Sequence, residues 1–125
     1  MSNHLRQSER RLTVLVCEDE AIIRMDTVDL VEELGYAVVE ADSGRQALEI
    51  ASRHEVDILL TDIGLPDISG LELARRLRDL KPGIGVVFAT GRDRIEGFAS
   101  EPRTELLKEP YRLDLLEKVL ARILD

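Results

Sequence analysis

Asp62 closes the run Val56-Asp57-Ile58-Leu59-Leu60-Thr61 and stands just before Gly64-Leu65-Pro66. A carboxylate at the carboxyl end of a β-branched and aliphatic strand lies where α/β sheets place their chemistry, although Asp before Gly and Pro is also a common turn former. A second apolar run, Leu12 to Cys17, stops at Glu18-Asp19-Glu20; a third, Ile84 to Ala89, ends at Thr90-Gly91; a weaker one, Glu105 to Leu107, ends at Lys108. If these ends meet, three carboxylates crowd together, each pair repelling by roughly 4 kcal/mol at about 4 Å and an effective dielectric of about 20, so a cation must sit among them. An oxygen-only set without His or Cys suits a hard ion. Mg²⁺ takes a couple of carboxylates, a backbone carbonyl, here that of Gly64, and several waters. Thr90 would add a hydroxyl, Gly91 a backbone open to close approach, and Lys108 a point charge of the kind that binds phosphate. Lys108 is one of only three lysines, against 14 arginines, which makes its position at this edge informative. Together these groups describe a phosphoryl site in which a free carboxylate is the nucleophile of an in-line transfer.

That convergence requires a particular arrangement of elements. Residues 12–17, 36–41, 56–61, 84–89 and 105–107 read as strands. Between them, Ala21 to Leu34 carries Ile23, Leu30, Val31 and Leu34 at helical spacing, with Gly35 placed to end the helix. Ser43 with Gln46, and Ser69 with Glu72, have the spacing of capping boxes. The second of these opens a helix marked by Leu73, Leu77 and Leu80 and closed at Lys81-Pro82-Gly83. Residues 92–103 predict a short fourth helix interrupted by Gly97 and Pro102, and Leu113, Leu116, Leu120 and Ile123 mark a closing amphipathic fifth. Five strands alternating with five helices imply right-handed crossovers and a flavodoxin-like, doubly wound parallel sheet of order 2-1-3-4-5. In that order the ends of strands one, three, four and five are neighbours.

The 125 residues suffice for one domain, with residues 1–11 as a polar, Arg-rich leader and residues 12–125 as the folded unit. A net charge of −8 disfavours nucleic acid and anionic membranes as partners. No apolar run is long enough to span a bilayer, and the leader lacks the apolar centre of a signal peptide, so a cytoplasmic location is expected. Cys17 stands alone and forms neither a disulfide nor a cysteine metal site within the chain. His4 and His54 read as surface residues.

From Leu12 to Leu124 the chain resembles the receiver domain of a two-component response regulator. The resemblance rests on Glu18-Asp19 after the first strand and on Asp62-Ile63-Gly64-Leu65-Pro66-Asp67-Ile68-Ser69-Gly70, which matches Asp-x-x-Leu-Pro-x-x-x-Gly. Thr90 after the fourth strand and Lys108 after the fifth complete it. Phe88-Ala89-Thr90-Gly91 further resembles a bacterial subgroup marked by Phe-Ala-Thr-Gly, although Arg92-Asp93 replaces that subgroup's hydrophobic-aromatic pair. The resemblance implies that Asp62 accepts a phosphoryl group from a sensor histidine kinase or phosphotransfer protein. Asp19 would ligate Mg²⁺ directly and Glu18 largely through water, with Asp62 and the Gly64 carbonyl as further ligands and Thr90 and Lys108 on the phosphoryl oxygens. Such a domain catalyses its own phosphorylation and dephosphorylation, turns over no external substrate and signals to a downstream protein by contact. The first helix, with Asp26, Asp29, Glu32 and Glu33, would form part of the kinase-docking face.

Two departures from the family pattern stand out. Receivers carry Lys directly before Pro, whereas this chain has Lys108-Glu109-Pro110, followed by Tyr111-Arg112-Leu113-Asp114. A gapless match from Pro110 puts Glu109 in the lysine slot, and a β-bulge that restores Lys108 to the site is the expectation favoured by the charge balance. In either register Glu105 or Leu106 replaces the usual switch aromatic. The Glu109 register motivates an alternative function, a pseudo-receiver acting as a phosphorylation-independent interaction module. An Asp-nucleophile phosphatase is disfavoured because Gly64 stands where a second Asp is required. A flavodoxin-type electron carrier lacks its hydroxyl-rich loop and its aromatics.

Overall fold

Short runs of β-branched and aliphatic residues, each stopped by a polar or Gly-containing loop, become five strands: β1 (Thr13–Cys17), β2 (Ala37–Ala41), β3 (Ile58–Asp62), β4 (Gly85–Thr90) and β5 (Thr104–Lys108). The structure, a computed structural model, describes residues 11–91 and 101–124. The strands form one sheet of order β2-β1-β3-β4-β5, and every neighbouring pair is parallel. Parallel neighbours need crossovers; those leading from β1 through to β4 are supplied by α1 (Ala21–Glu33), α2 (Gly44–Arg53) and α3 (Gly70–Leu80), and α4 (Leu113–Leu124) follows β5. The flavodoxin-like order predicted from the sequence is therefore present, and β1 and β3 flank its switch point.

The described residues contain four helices rather than the expected five. Residues 92–100, where most of the expected fourth helix falls, lie outside the described residues, as does the expected leader over residues 1–10. Residues 101–103 form a turn, with Arg103 at a positive φ of 53°. The Arg78 guanidinium at the end of α3 holds that turn, donating to the carbonyls of Pro102 at 2.7 Å and Arg103 at 2.9 Å.

Strand alternation builds two cores. Val14, Val16, Ile58, Leu60, Val87, Ala89 and Leu107 point to one face, against Val31 of α1 and Leu116, Val119, Leu120 and Ile123 of α4. Leu15, Cys17, Leu59, Val86, Phe88 and Leu106 point to the other, against Ala47 and Ala51 of α2 and Leu73, Ala74 and Leu77 of α3. Two residues expected on buried helix faces are exposed, Leu80 at 58% and Ile23 at 37%. Each lies at a helix end, where the face has run past the sheet that would cover it.

Both capping boxes form by halves. Ser43 Oγ accepts from Gln46 N at 3.2 Å, but the Gln46 side-chain Oε1 accepts from Asp42 N, one residue before the cap. Ser69 Oγ accepts from Glu72 N at 3.1 Å, while the Glu72 carboxylate turns instead to Arg75 and Arg76. A charged partner one turn along the helix outcompetes the backbone N–H.

Gly85 begins β4 directly under α4, where a Cβ would collide with Ile123 Cγ2. Because that methyl is fixed by the branched Ile side chain, Gly85→Ala should destabilise the domain by about 1–3 kcal/mol. The loss should shrink when Ile123→Ala is made as well, so denaturant melts of the two single variants and the double variant check the contact.

Candidate functional site

The carboxyl ends of β1 and β3 are adjacent, with Cys17 opposite Thr61, so the residues that follow share one edge. Val14 and Val16 face the α1/α4 side, and so do Ile58 and Leu60; continuing the alternation puts Glu18 and Asp62 on that same side. Carboxylate oxygens of Glu18, Asp19 and Asp62 come within 4.8 Å of one another. Glu18 is buried, Asp62 half-buried and Asp19 exposed. The donor set is oxygen only and carries up to three negative charges, and it fits a hard divalent cation such as Mg²⁺. The acidic cluster expected from the sequence is thus assembled.

Glu18 shows the strain of this assembly. Burial pushes its carboxyl up to about 7, and the charges of Asp62 and Asp19 push in the same direction, against the relief of a hydrogen bond from Glu20 N at 3.0 Å. The loop that carries Glu18 is tied down by Arg24 of α1, whose guanidinium donates to the Glu18 carbonyl at 2.8 Å and to Glu40 Oε1 on β2 at 3.0 Å. Arg24 was not singled out by its position in the sequence, since an Arg one turn into a helix ordinarily reads as a solvated charge.

The loop after Asp62 is closed by its own backbone. Ile63 N donates to Asp62 Oδ1 at 2.8 Å, and the Ile63 carbonyl accepts from both Leu65 N at 3.2 Å and Gly70 N at 2.8 Å. The first pair makes a three-residue turn centred on Gly64. The second brings the start of α3 so close to the loop that a Cβ on Gly70 would collide with the Asp62 carbonyl. That contact is the physical reason for the Gly in the Asp-x-x-Leu-Pro-x-x-x-Gly spacing.

On the other flank Thr90 ends β4, buried, and pairs with Lys108, the exposed last residue of β5. The β5 ladder runs one to one from Thr104 opposite Val86 to Lys108 opposite Thr90, and Glu109 N then donates to the Thr90 carbonyl at 2.7 Å. The bulge expected from the sequence is absent from this span. The regular pleat keeps Leu107 on the α1/α4 side with Leu60 and Ala89, so Glu109 follows on the side of Asp62, and Lys108 falls with Leu106 on the α2/α3 side. Glu109 is half-buried; burial, reinforced by the charges of Asp62 and Glu20, raises its carboxyl above the ordinary range. Beyond it, Tyr111 is pinned to α1 by a 2.6 Å hydrogen bond between its hydroxyl and that of Thr27.

The sequence profile of the response regulator receiver domain matches residues 14–108. The chain belongs to the response regulator receiver family. It is 33% identical over 110 residues to the response regulator receiver protein CpdR of Brucella abortus, covering 85% of this chain and 92% of that one. It is 35% identical over 119 residues to the sensor kinase CckA of the same organism, covering 90% of this chain but only 12% of the kinase. Among solved structures, a CheY-like receiver domain from Methylobacillus flagellatus superimposes with a TM-score of 0.83 at 29% identity, covering 91% of this chain and 99% of the other.

Two outcomes check the electrostatics of this receiver. Between the ordinary carboxylate range and pH about 7 the folded state keeps a proton on Glu18 that the unfolded chain has lost, so stability falls as pH rises through that window. The loss is on the order of 2–3 kcal/mol; Glu18→Gln should flatten the curve and raise Tm at pH 8 in divalent-free buffer. Glu109→Lys, which removes a charge repelled by Asp62, should raise stability at low ionic strength by a few tenths to about 1 kcal/mol, with the gain fading in high salt.

Proposed function

We propose that the domain accepts a phosphoryl group on Asp62 from a histidine kinase or phosphotransfer protein, with Mg²⁺ held at the acidic edge. The observation that carries this reading is the convergence of Glu18, Asp19 and Asp62 at the strand ends of a chain that belongs to the receiver family. Asp19, Asp62 and the Gly64 carbonyl would hold the ion, with Glu18 acting largely through water. When bound, the ion supplies positive charge against the acid cluster and the incoming phosphoryl oxygens. Asp62 is the nucleophile in line with the leaving group, and the Ile63 N–H on its Oδ1 fixes its rotamer and leaves the other oxygen to attack. The Thr90 hydroxyl at the end of β4 is assigned to the phosphoryl oxygens, whereas Lys108, which the regular β5 ladder turns to the side of Leu106, is left out of the site. The domain thereby supplies the groups for its own phosphorylation and dephosphorylation and turns over no external substrate.

Partner contacts fit the α1 end of the molecule. Ile22 is 76% and Met25 63% exposed, and beside them a groove of about 720 Å³ is lined by Ile23, Leu30, Pro110 and Tyr111 and rimmed by Asp26 and Glu109. Apolar side chains beside the phosphorylation site, bordered by acids, suit a protein surface with basic edges and disfavour nucleic acid. Among the described residues no helix is long and apolar enough to cross a membrane.

Incubation with a small-molecule phosphodonor and Mg²⁺ should add one phosphoryl group by intact mass. Asp62→Asn should abolish the gain, EDTA should prevent it, and Lys108→Ala should leave the rate within about twofold of wild type. A wild-type chain that takes up no phosphoryl group would instead favour the phosphorylation-independent module that Glu109 brings to mind.

A further inference from the structure

We propose that Asp67 is a positioning residue for the Gly64 carbonyl: its carboxylate fastens the loop after Asp62 to the first turn of α2, and the divalent affinity of the site depends on that fastening. The inference rests on the reading of the acidic edge as a Mg²⁺ and phosphoryl site.

Asp67 is not among the clustered acids, and its carboxylate is taken up by backbone donors. Asp67 Oδ1 accepts from Gly44 N at 2.9 Å and from Ile68 N at 2.9 Å, and Oδ2 accepts from Arg45 N at 2.8 Å. Two of these donors are N–H groups of the first turn of α2, which have no partner within the helix. The Arg45 and Gly44 N–H groups hold the Asp67 carboxyl below its ordinary range, as expected for an anion at a helix N-terminus. Ser43, the N-cap of α2, meanwhile satisfies Gln46 N. The two side chains divide the free donors of α2, one from within its own chain segment and one from across the site.

The apolar side of the junction is equally close. Ile68 lies against Gly44 so tightly that a Cβ there would collide with Ile68 Cγ1. The loop is therefore held at two ends: inward, where the Ile63 carbonyl binds Leu65 N and Gly70 N, and outward, where Asp67 and Ile68 grip α2. Gly64 sits between these ends, exposed, and apart from its chain neighbours no heavy atom lies within 4 Å of where a Cβ would be. The two anchors flank its carbonyl along the chain and, on this reading, set its direction. Neither Gly64 nor Asp67 is covered by the core; a partner bonded directly to a metal ligand changes affinity by about 10–100-fold when removed, and Asp67, acting through the loop, is placed at the lower end of that range.

The test measures Mg²⁺ binding by calorimetry and the phosphorylation rate with a small phosphodonor, in wild type, Asp67→Ala, Asp67→Asn and Ser43→Ala. Asp67→Ala should weaken Mg²⁺ binding about tenfold and raise the Mg²⁺ concentration needed for half-maximal phosphorylation, with the rate at saturating Mg²⁺ little changed. Asp67→Asn keeps one acceptor oxygen and should fall between Ala and wild type. Ser43→Ala weakens the same helix end without touching the loop, so it should lower Tm and leave Mg²⁺ affinity unchanged. Wild-type Mg²⁺ affinity in Asp67→Ala, or an equal loss in Ser43→Ala, overturns the positioning role while leaving the phosphoryl site intact. A wild-type chain that neither binds Mg²⁺ nor takes up a phosphoryl group overturns the site reading itself, and this inference with it.

Discussion

Three carboxylates held within 4.8 Å of one another at the end of a parallel sheet are the constraint on which the rest of this structure depends. Left to themselves Glu18, Asp19 and Asp62 would move apart, and the few hydrogen bonds within their loops are small against that repulsion. What stops them is the pairing of β1 with β3 and the burial of Leu15, Leu59, Val16 and Leu60 on the two faces beneath. The apolar core supplies the free energy that the acid cluster opposes. Part of the opposition is relieved by a proton on Glu18, whose carboxyl burial has pushed to about 7, and a bound cation would relieve it more fully. Repulsion in the metal-free domain and affinity for a cation are then two descriptions of one electrostatic term, since a group destabilised by like charge gains most when an opposite charge arrives.

The loops that carry the acids are held from outside by groups whose own charges are directed away from the cluster. Arg24 spends its guanidinium on the Glu18 carbonyl and on Glu40. Asp67 spends its carboxylate on the α2 backbone. Tyr111 reaches Thr27 on α1 and so fastens the segment after β5. Each anchor joins elements distant in sequence, which is how a site built on loops acquires the rigidity of the scaffold behind it.

Much of this was legible in the sequence because it is local. Runs of β-branched residues gave the strands to within two residues at either end, and the alternation of strand and helix implied the sheet order. The acid cluster followed, since a parallel sheet of that order has only one edge at which Glu18, Asp19 and Asp62 can meet. What could not be read was set by contacts across the fold. Ser43 and Ser69 do cap their helices, but the reciprocal partners Gln46 and Glu72 turned elsewhere, toward Asp42 and toward Arg75 and Arg76. Ile23 and Leu80 have helical spacing, yet burial depends on how far the sheet extends beneath them. Arg24 and Asp67 are ordinary charged residues until the fold brings Glu18 and α2 to them.

The last strand carries the sharpest lesson, because charge balance and backbone geometry point in opposite directions there. Balance favoured a bulge that would return Lys108 to the acids, since a carboxylate in its place adds repulsion. The ladder pairs residue for residue instead, so the pleat gives the Asp62 side to Glu109. An extra residue in β5 would have displaced Leu107 from its fully buried place beside Leu60 and Ala89, and the loss of a buried Leu outweighs one partly solvated charge repulsion. Packing therefore decides the register, and electrostatics must accommodate it. Under the proposed function the accommodation falls to the metal: with a carboxylate on the side where relatives of this family place an ammonium, more of the positive charge that phosphoryl transfer requires must come from the divalent ion. Metal occupancy then controls the reaction more tightly here than in a receiver whose lysine faces its aspartate.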